Sequence, residues 1–182
     1  MSGMYTYPHV IENGAGERLV FLRKIGNRLE GENLVKPGAG PPMHVHHLQD
    51  EGFTVQKGRI GYQRPGEPEA FAGPGESIVF KAGEPHRFWN AGETDLVCTA
   101  FVEPADNVEY LLTELFDSAR RGNRGRPGIF EAAFLMRRYR SEFEMLEIPA
   151  AMKRFVFPVL VAIGTLLGKY RRYANAPEPV RR

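Results

Sequence analysis

Gly38-Ala39-Gly40-Pro41-Pro42-Met43-His44-Val45-His46-His47-Leu48-Gln49-Asp50-Glu51 is the stretch whose reading decides the fold. Three of the chain's five histidines fall within four residues there, with a carboxylate close behind. A fourth, His86, returns after a run of strand-like sequence. Three imidazoles and one carboxylate suit a divalent transition metal. Alternate side chains of a strand share a face, so His44 and His46 point one way and His47 the other. Glu51 arrives after a short bend. The segment from Gly75 to Asn90 can fold back beside the first and carry His86 into the same pocket.

Working outward, short runs of β-branched and aromatic residues punctuated by Gly and Pro extend from Glu17 to about Val102. Leu19-Val20-Phe21-Leu22, Gly52-Phe53-Thr54-Val55-Gln56, Arg59-Ile60-Gly61-Tyr62-Gln63, Ser77-Ile78-Val79-Phe80 and Leu96-Val97-Cys98-Thr99-Ala100-Phe101 are examples. Short strands with frequent turns predict a sandwich or barrel. Residues 1–16 read as irregular, with a turn at Asn13-Gly14-Ala15-Gly16. After Pro104 the apolar spacing becomes helical, and it predicts helices over 105–121, 129–139 and 148–170. The Gly-rich, basic stretch from Gly122 to Gly128 separates the first two. The expected organisation is a β-barrel domain over 1–104 and a helical extension over 105–182.

The two histidine segments resemble the motifs of the cupin superfamily. Gly38, His44, His46, Glu51 and Gly58 fill the first motif; Gly75, Gly83, His86 and Asn90 fill the second. Lys81 stands where the family usually has Pro, at a turn position and not a ligand position. The resemblance covers roughly residues 17–103 and leaves the helical back third unexplained. It implies a mainly β fold, a small cupin β-barrel of double-stranded β-helix (jelly-roll) type, here with a C-terminal α-helical extension. It also implies that His44, His46, Glu51 and His86 bind one divalent metal ion. Fe, Mn, Ni, Co, Cu and Zn all suit such N/O donors. The Pro-Pro before the first His and the Asp50-Glu51 pair resemble the quercetin dioxygenase-like subgroup. Phe53, Val55 and Phe88 share the ligands' parity and are candidates for the pocket wall, with Tyr62 as a further one; ordinary barrel core is the competing reading for each. Arg87 and Trp89 have the opposite parity and are expected outside. Asn90 is expected to hold a turn, and Asp50 to be solvated or bonded to a loop.

Charge divides the chain. Up to Asp117, ten Lys/Arg face seventeen Asp/Glu; from Ser118 onward fourteen face five. The two parts are expected to attract each other, within one molecule or across a homodimer, or else to recruit an acidic partner. The basic residues match no nucleic-acid-reading motif, so no nucleic-acid partner is expected. Cys98 is the only cysteine, which excludes an intrachain disulfide and fits a reducing, cytoplasmic setting. The N-terminal residues have no secretory pattern. Residues 155–168 are uncharged but shorter than the roughly 20 apolar residues a bilayer span needs. A buried or subunit-interface helix is expected there, and peripheral membrane contact through its apolar face and basic flanks is the alternative. Gly164 and Gly168, four apart, are candidates for close helix packing.

An open coordination position would let a metal bind O2, water or an oxygen-bearing substrate. The chain therefore reads first as a metal-dependent oxidoreductase of dioxygenase type acting on a small, partly apolar molecule. Glu51, if released from the metal, is the candidate general base. A non-catalytic module that binds or senses a small ligand is the second reading. A metal-dependent isomerase or lyase is the third, against which the apolar pocket candidates count.

Overall fold

The computed structural model describes residues 5–122 and 125–181. Residues 1–4 of the expected irregular start, Asn123 and Arg124 of the expected break, and Arg182 lie outside the described residues. Ten strands come first: β1 (His9–Glu12), β2 (Glu17–Ile25), β3 (Arg28–Val35), β4 (His44–His46), β5 (Asp50–Lys57), β6 (Ile60–Gln63), β7 (Ala70–Ala72), β8 (Ser77–Phe80), β9 (Arg87–Asn90) and β10 (Leu96–Glu103). Helices α1 (Val108–Arg121) and α2 (Ile129–Arg138), strand β11 (Phe143–Met145) and helix α3 (Phe157–Leu166) follow. A π-helical turn over Met152–Val156 leads into α3, and a short 3-10 turn over Arg171–Tyr173 comes after it.

The strands pair antiparallel in a six-stranded sheet of order β1-β2-β3-β10-β5-β8, a three-stranded sheet β7-β6-β9 and a pair β11-β4. A bridge between His44 and His86 joins β4 to the start of β9. Inward residues of the facing sheets, among them Val35, Phe53, Ile60, Phe80, Phe88 and Leu96, make the barrel core. Alternation accounts for it: on β9, Phe88 and Asn90 are buried while Arg87 and Trp89 are half-exposed, as the parity predicts. Val55 belongs to this core and Tyr62 packs against it.

Two features of the sheets differ from the sequence reading. Strand β1 forms inside the stretch read as irregular, because Ile11 turns inward opposite Leu19 and joins a cluster with Phe21 and Leu29. Glu109 of α1 ties that strand down, accepting the Tyr7 hydroxyl at 2.9 Å and meeting His9 Nδ1 at 2.9 Å. The second feature is β11. Phe143, Glu144 and Met145 pair with His46, Val45 and His44, so the back third adds a strand to the barrel and is not purely helical. Glu142, buried just before it, accepts the Asn107 backbone N–H at 3.2 Å and side-chain N–H at 2.8 Å, and the Val180 N–H at 2.8 Å. One carboxylate thus gathers the start of α1, the approach to β11 and the C-terminal segment.

Of the buried or subunit-interface helix expected at 155–168, burial within the chain holds for one side only. Phe157, Leu160 and Val161 pack into the cluster of α2, β11 and Tyr173, but the other side of α3 is open. Leu166 is 87% exposed, Phe155 65% and Leu167 62%. Gly164 does not serve helix–helix approach. A Cβ there would lie 2.3 Å from the Tyr170 hydroxyl, so the missing side chain makes room for that ring. The two charge blocks meet within the molecule at Arg172, whose Nη2 lies 2.8 Å from both Glu114 Oε2 and Asp117 Oδ2. These pairs are partly exposed and contribute little stability individually.

Candidate metal centre

The loop before β4 is held against β9 by backbone bonds from Gly38 N–H to the Asn90 carbonyl (3.0 Å) and from Asn90 N–H to the Ala39 carbonyl (2.9 Å). Gly40 lies at a φ of 151°, and a Cβ there would sit 2.2 Å from the Phe88 carbonyl oxygen. Only glycine permits that approach, and it sets the chain's entry into His44. On the far side, Asn90 Nδ2 donates to the Val35 and Thr94 carbonyls and its Oδ1 accepts from Gly92 N–H, so this side chain holds a turn. Lys81 explains its own departure from the motif. Its backbone N–H donates to Glu84 Oε2 and its ammonium to Asp50 Oδ2, while Asp50 Oδ1 accepts Ala82 N–H. A proline there could make neither of the two Lys81 bonds.

His44, His46, Glu51 and His86 converge from β4, β5 and the start of β9, and one donor atom from each lies within 4.8 Å of the others. All three imidazoles are buried. His44 Nδ1 lies 2.9 Å from the Pro42 carbonyl and His86 Nδ1 2.9 Å from the Glu84 carbonyl. A carbonyl accepts only, so each Nδ1 carries the proton and each Nε2 presents its lone pair inward. Glu51 carboxylate oxygens face those atoms: His86 Nε2 at 2.9 Å, and His44 and His46 Nε2 at 3.8 Å. Burial pushes the His46 imidazole down to about 3, which keeps it neutral. Burial also opposes the charge on Glu51, but when a proton sits among the His46, His44 and His86 imidazoles their attraction outweighs it and holds the carboxyl below the usual range. Neutral lone pairs converging with an anion are stabilised by a cation at their centre, and the four donors fit a divalent metal ion. His47 is not among them; its Nε2 faces Glu144 at 3.6 Å on the outer side.

The cluster opens onto a cavity of about 90 Å³. Phe53 and Phe88 line it; Val55 and Tyr62 do not, because the barrel interior beyond Phe53 is closed by the core. Of the four pocket candidates, two therefore stand at the cavity and two in the packing. Among the wall residues the sequence reading missed, three bear on the chemistry. Phe143 of β11 places its ring 5.4 Å from that of His44 and 5.2 Å from that of His46. Glu17 and Asn33, from β2 and β3, are buried polar residues in an otherwise mostly apolar wall. Burial pushes the Glu17 carboxyl up to about 7. The inward parity that exposes Phe53 also marks Glu17, Leu19 and Phe21, and was the available signal for Glu17; nothing local marks Phe143.

Comparison with known proteins finds matches over the barrel segment. Residues 32–102 match the family model described as a cupin domain. The chain is 33% identical over 85 residues to the oxidoreductase iacF of Pestalotiopsis fici, covering 46% of this chain and 42% of that one. It is 30% identical over 112 residues to the epoxidase atD of Aspergillus terreus, covering 61% of this chain and 32% of that one. The match thus spans less than half the length of these relatives. A crystal structure of a Klebsiella pneumoniae protein with a double-stranded β-helix domain is 19% identical, with a TM-score of 0.45, over 50% of this chain and 78% of that one. Two facing antiparallel sheets bring the two histidine motifs to one mouth, and residues 32–102 of this barrel match the cupin-domain model.

Proposed function

We propose that the chain is a metal-dependent oxidoreductase of dioxygenase type, acting on a small, partly apolar molecule in the barrel cavity. The observation that carries this reading is the inward convergence of three buried imidazoles and the Glu51 carboxylate on one point at the cavity wall. A divalent metal held there would supply Lewis acidity and, if redox-active, electron exchange with O2. Such a reaction adds both atoms of O2 to the substrate, which supplies the electrons, so no separate reductant is needed. His44 and His86 are pre-oriented by their carbonyl partners. Phe53, Phe88 and Phe143 exclude water and orient an apolar substrate face. Glu51, once released from the metal and from its imidazole neighbours, is the group proposed to take a proton from a substrate hydroxyl at the cavity mouth. The names of the relatives, oxidoreductase and epoxidase, point the same way. The resemblance to quercetin dioxygenase-like cupins belongs to this reading too.

Elemental analysis of purified protein, paired with O2-uptake measurements on a panel of small hydroxylated aromatics, tests it. Near-stoichiometric metal and an uptake lost in Glu51→Ala are expected. Metal without any turnover would support the ligand-binding reading, and absence of metal would overturn the oxidoreductase reading.

The exposed side of α3 favours a second reading, of location rather than chemistry. Phe155, Val159, Leu166 and Leu167 are open to solvent, and Lys153, Arg154, Lys169 and Arg171 flank them in sequence. Among the described residues no helix is long and apolar enough to cross a membrane. An apolar ridge between basic flanks matches an anionic lipid surface. Flotation with phosphatidylserine-containing liposomes in low salt is expected. Concentration-dependent self-association without flotation would assign the ridge to a second copy of the chain.

A further inference from the structure

Glu17 Oε1 and Asn33 Oδ1 are buried and have no hydrogen-bond partner among the described residues. Both residues line the cavity that also holds His44, His46 and Glu51, amid Leu19, Phe21, Leu29, Phe53 and Phe88. They are diagonal neighbours across the β2–β3 pair, since Glu17 stands opposite Val35 and Asn33 opposite Leu19. The other oxygen of Glu17 is engaged: Asn13 Nδ2 donates to Oε2 at 2.8 Å. Asn13 is itself pinned, because its Oδ1 accepts the backbone N–H groups of Ala15 (2.7 Å) and Glu17 (3.2 Å). One carboxylate oxygen is thus fixed to the fold and the other is left bare at the cavity.

Buried acceptors without donors are rare, because desolvation is then uncompensated. A ligand that brings the donor removes the penalty. We infer that Glu17 and Asn33 form a recognition site for a hydroxyl group on the cavity ligand, which makes that ligand a small, largely apolar alcohol or phenol. The inference rests on the metal reading in one respect, the choice of a neutral donor: a dication at the histidine cluster repels an ammonium in the same small cavity. The hydroxyl donates its one proton to Glu17 Oε1, with Asn33 Oδ1 as the neighbouring alternative acceptor, and the apolar body lies against the phenylalanines. Glu17 is in this sense a specificity-determining residue and not a metal ligand.

Calorimetric titration of the purified protein with phenol, anisole and fluorobenzene tests the inference, with metal content measured on the same batch. These probes keep one ring and differ in whether they carry a donor. Wild type is expected to favour phenol over both others by at least about tenfold, the share of one buried hydrogen bond. In Glu17→Gln the pinned Asn13 N–H still requires an oxygen opposite it, so the amide NH2 turns into the cavity. The preference is then expected to shrink to within about threefold. Glu17→Leu is expected to abolish it, and in both variants metal content stays at the wild-type level. Equal affinities in wild type, or no binding of any probe at 10 mM (about the weakest affinity worth calling a site), would overturn the inference, and so would an unchanged phenol preference in Glu17→Leu. The wild-type ranking needs no variant to fold. Metal-replete protein lacking the preference sinks this inference alone, whereas metal-free protein that keeps it sinks the metal reading alone.

Discussion

Replacing Glu17 by Gln should change how stability responds to pH, and the size of the change follows from its burial. In the folded protein the carboxyl is pushed from an ordinary 4.5 up to about 7, with burial as the main cause, the His44 imidazole opposing it and the Glu51 charge adding to it. A carboxyl whose folded value is raised binds its proton more tightly in the native state than in the unfolded one. Its stabilising contribution is therefore full below about pH 4.5 and is lost as pH rises through about 7. At about 1.4 kcal/mol per pH unit, that gap amounts to about 3 kcal/mol. Glu17→Gln keeps the shape and cannot ionise, so its stability should not fall on this account. Urea unfolding of both proteins between pH 4.5 and 8, in chelator and at constant ionic strength, isolates the effect as a difference curve. Histidine titrations are common to both and cancel. Wild type should lose about 3 kcal/mol relative to the variant across the window, and the variant should be the more stable protein at pH 8. Parallel curves would show that Glu17 is solvated in the folded state, and would remove the physical basis for a desolvated recognition site.

Other expectations are more direct. His44→Ala and His86→Ala should each purify with metal content reduced at least about tenfold, since each removes a donor worth more than 1.4 kcal/mol; retention of metal in both would refute the four-donor centre. Phe143→Ala deletes a buried ring that packs on His44 and His46, and should cost about 3–5 kcal/mol by urea unfolding; a loss below about 1 kcal/mol would mean β11 does not close the barrel. Gly40→Ala places a methyl 2.2 Å from the Phe88 carbonyl oxygen and should fail to give soluble, cooperatively unfolding protein. Leu166→Glu should leave the melting temperature within about 2 °C, as exposed substitutions do, while abolishing flotation with anionic liposomes; unchanged flotation would remove α3 from the membrane reading.

The barrel was legible because its information is local. His44, His46 and Glu51 sit on strands consecutive in sequence, and the alternation that separates His46 from His47 also separates Phe88 from Trp89. His86 was reachable because a strand's worth of Gly-bounded sequence returns it to the same edge. What stayed hidden depends on pairings between distant segments. The sequence Phe143-Glu144-Met145 carries no strand signal of its own; it becomes a strand because β4 offers it an unpaired edge. Val55 and Tyr62 have pocket parity, but parity names a face and not a depth along the barrel axis, and at their depth the interior is filled. Glu17 looked like the polar start of a strand, and its burial is set by Asn13 and the opposite wall. The apolar run at 155–168 implied burial by composition, yet only one side of α3 has anything to pack against.

Strand β4 draws one side of its hydrogen bonding from residues made about a hundred positions later, a long loop to close. During synthesis the histidine pair therefore emerges on an open edge, bonded toward His86 but bare toward β11. Metal reaching the barrel before residue 145 has been made meets a cluster without its Phe143 wall. The order of translation thus leaves an interval in which the cluster is open to water, and pairing of the late strand then shuts it in.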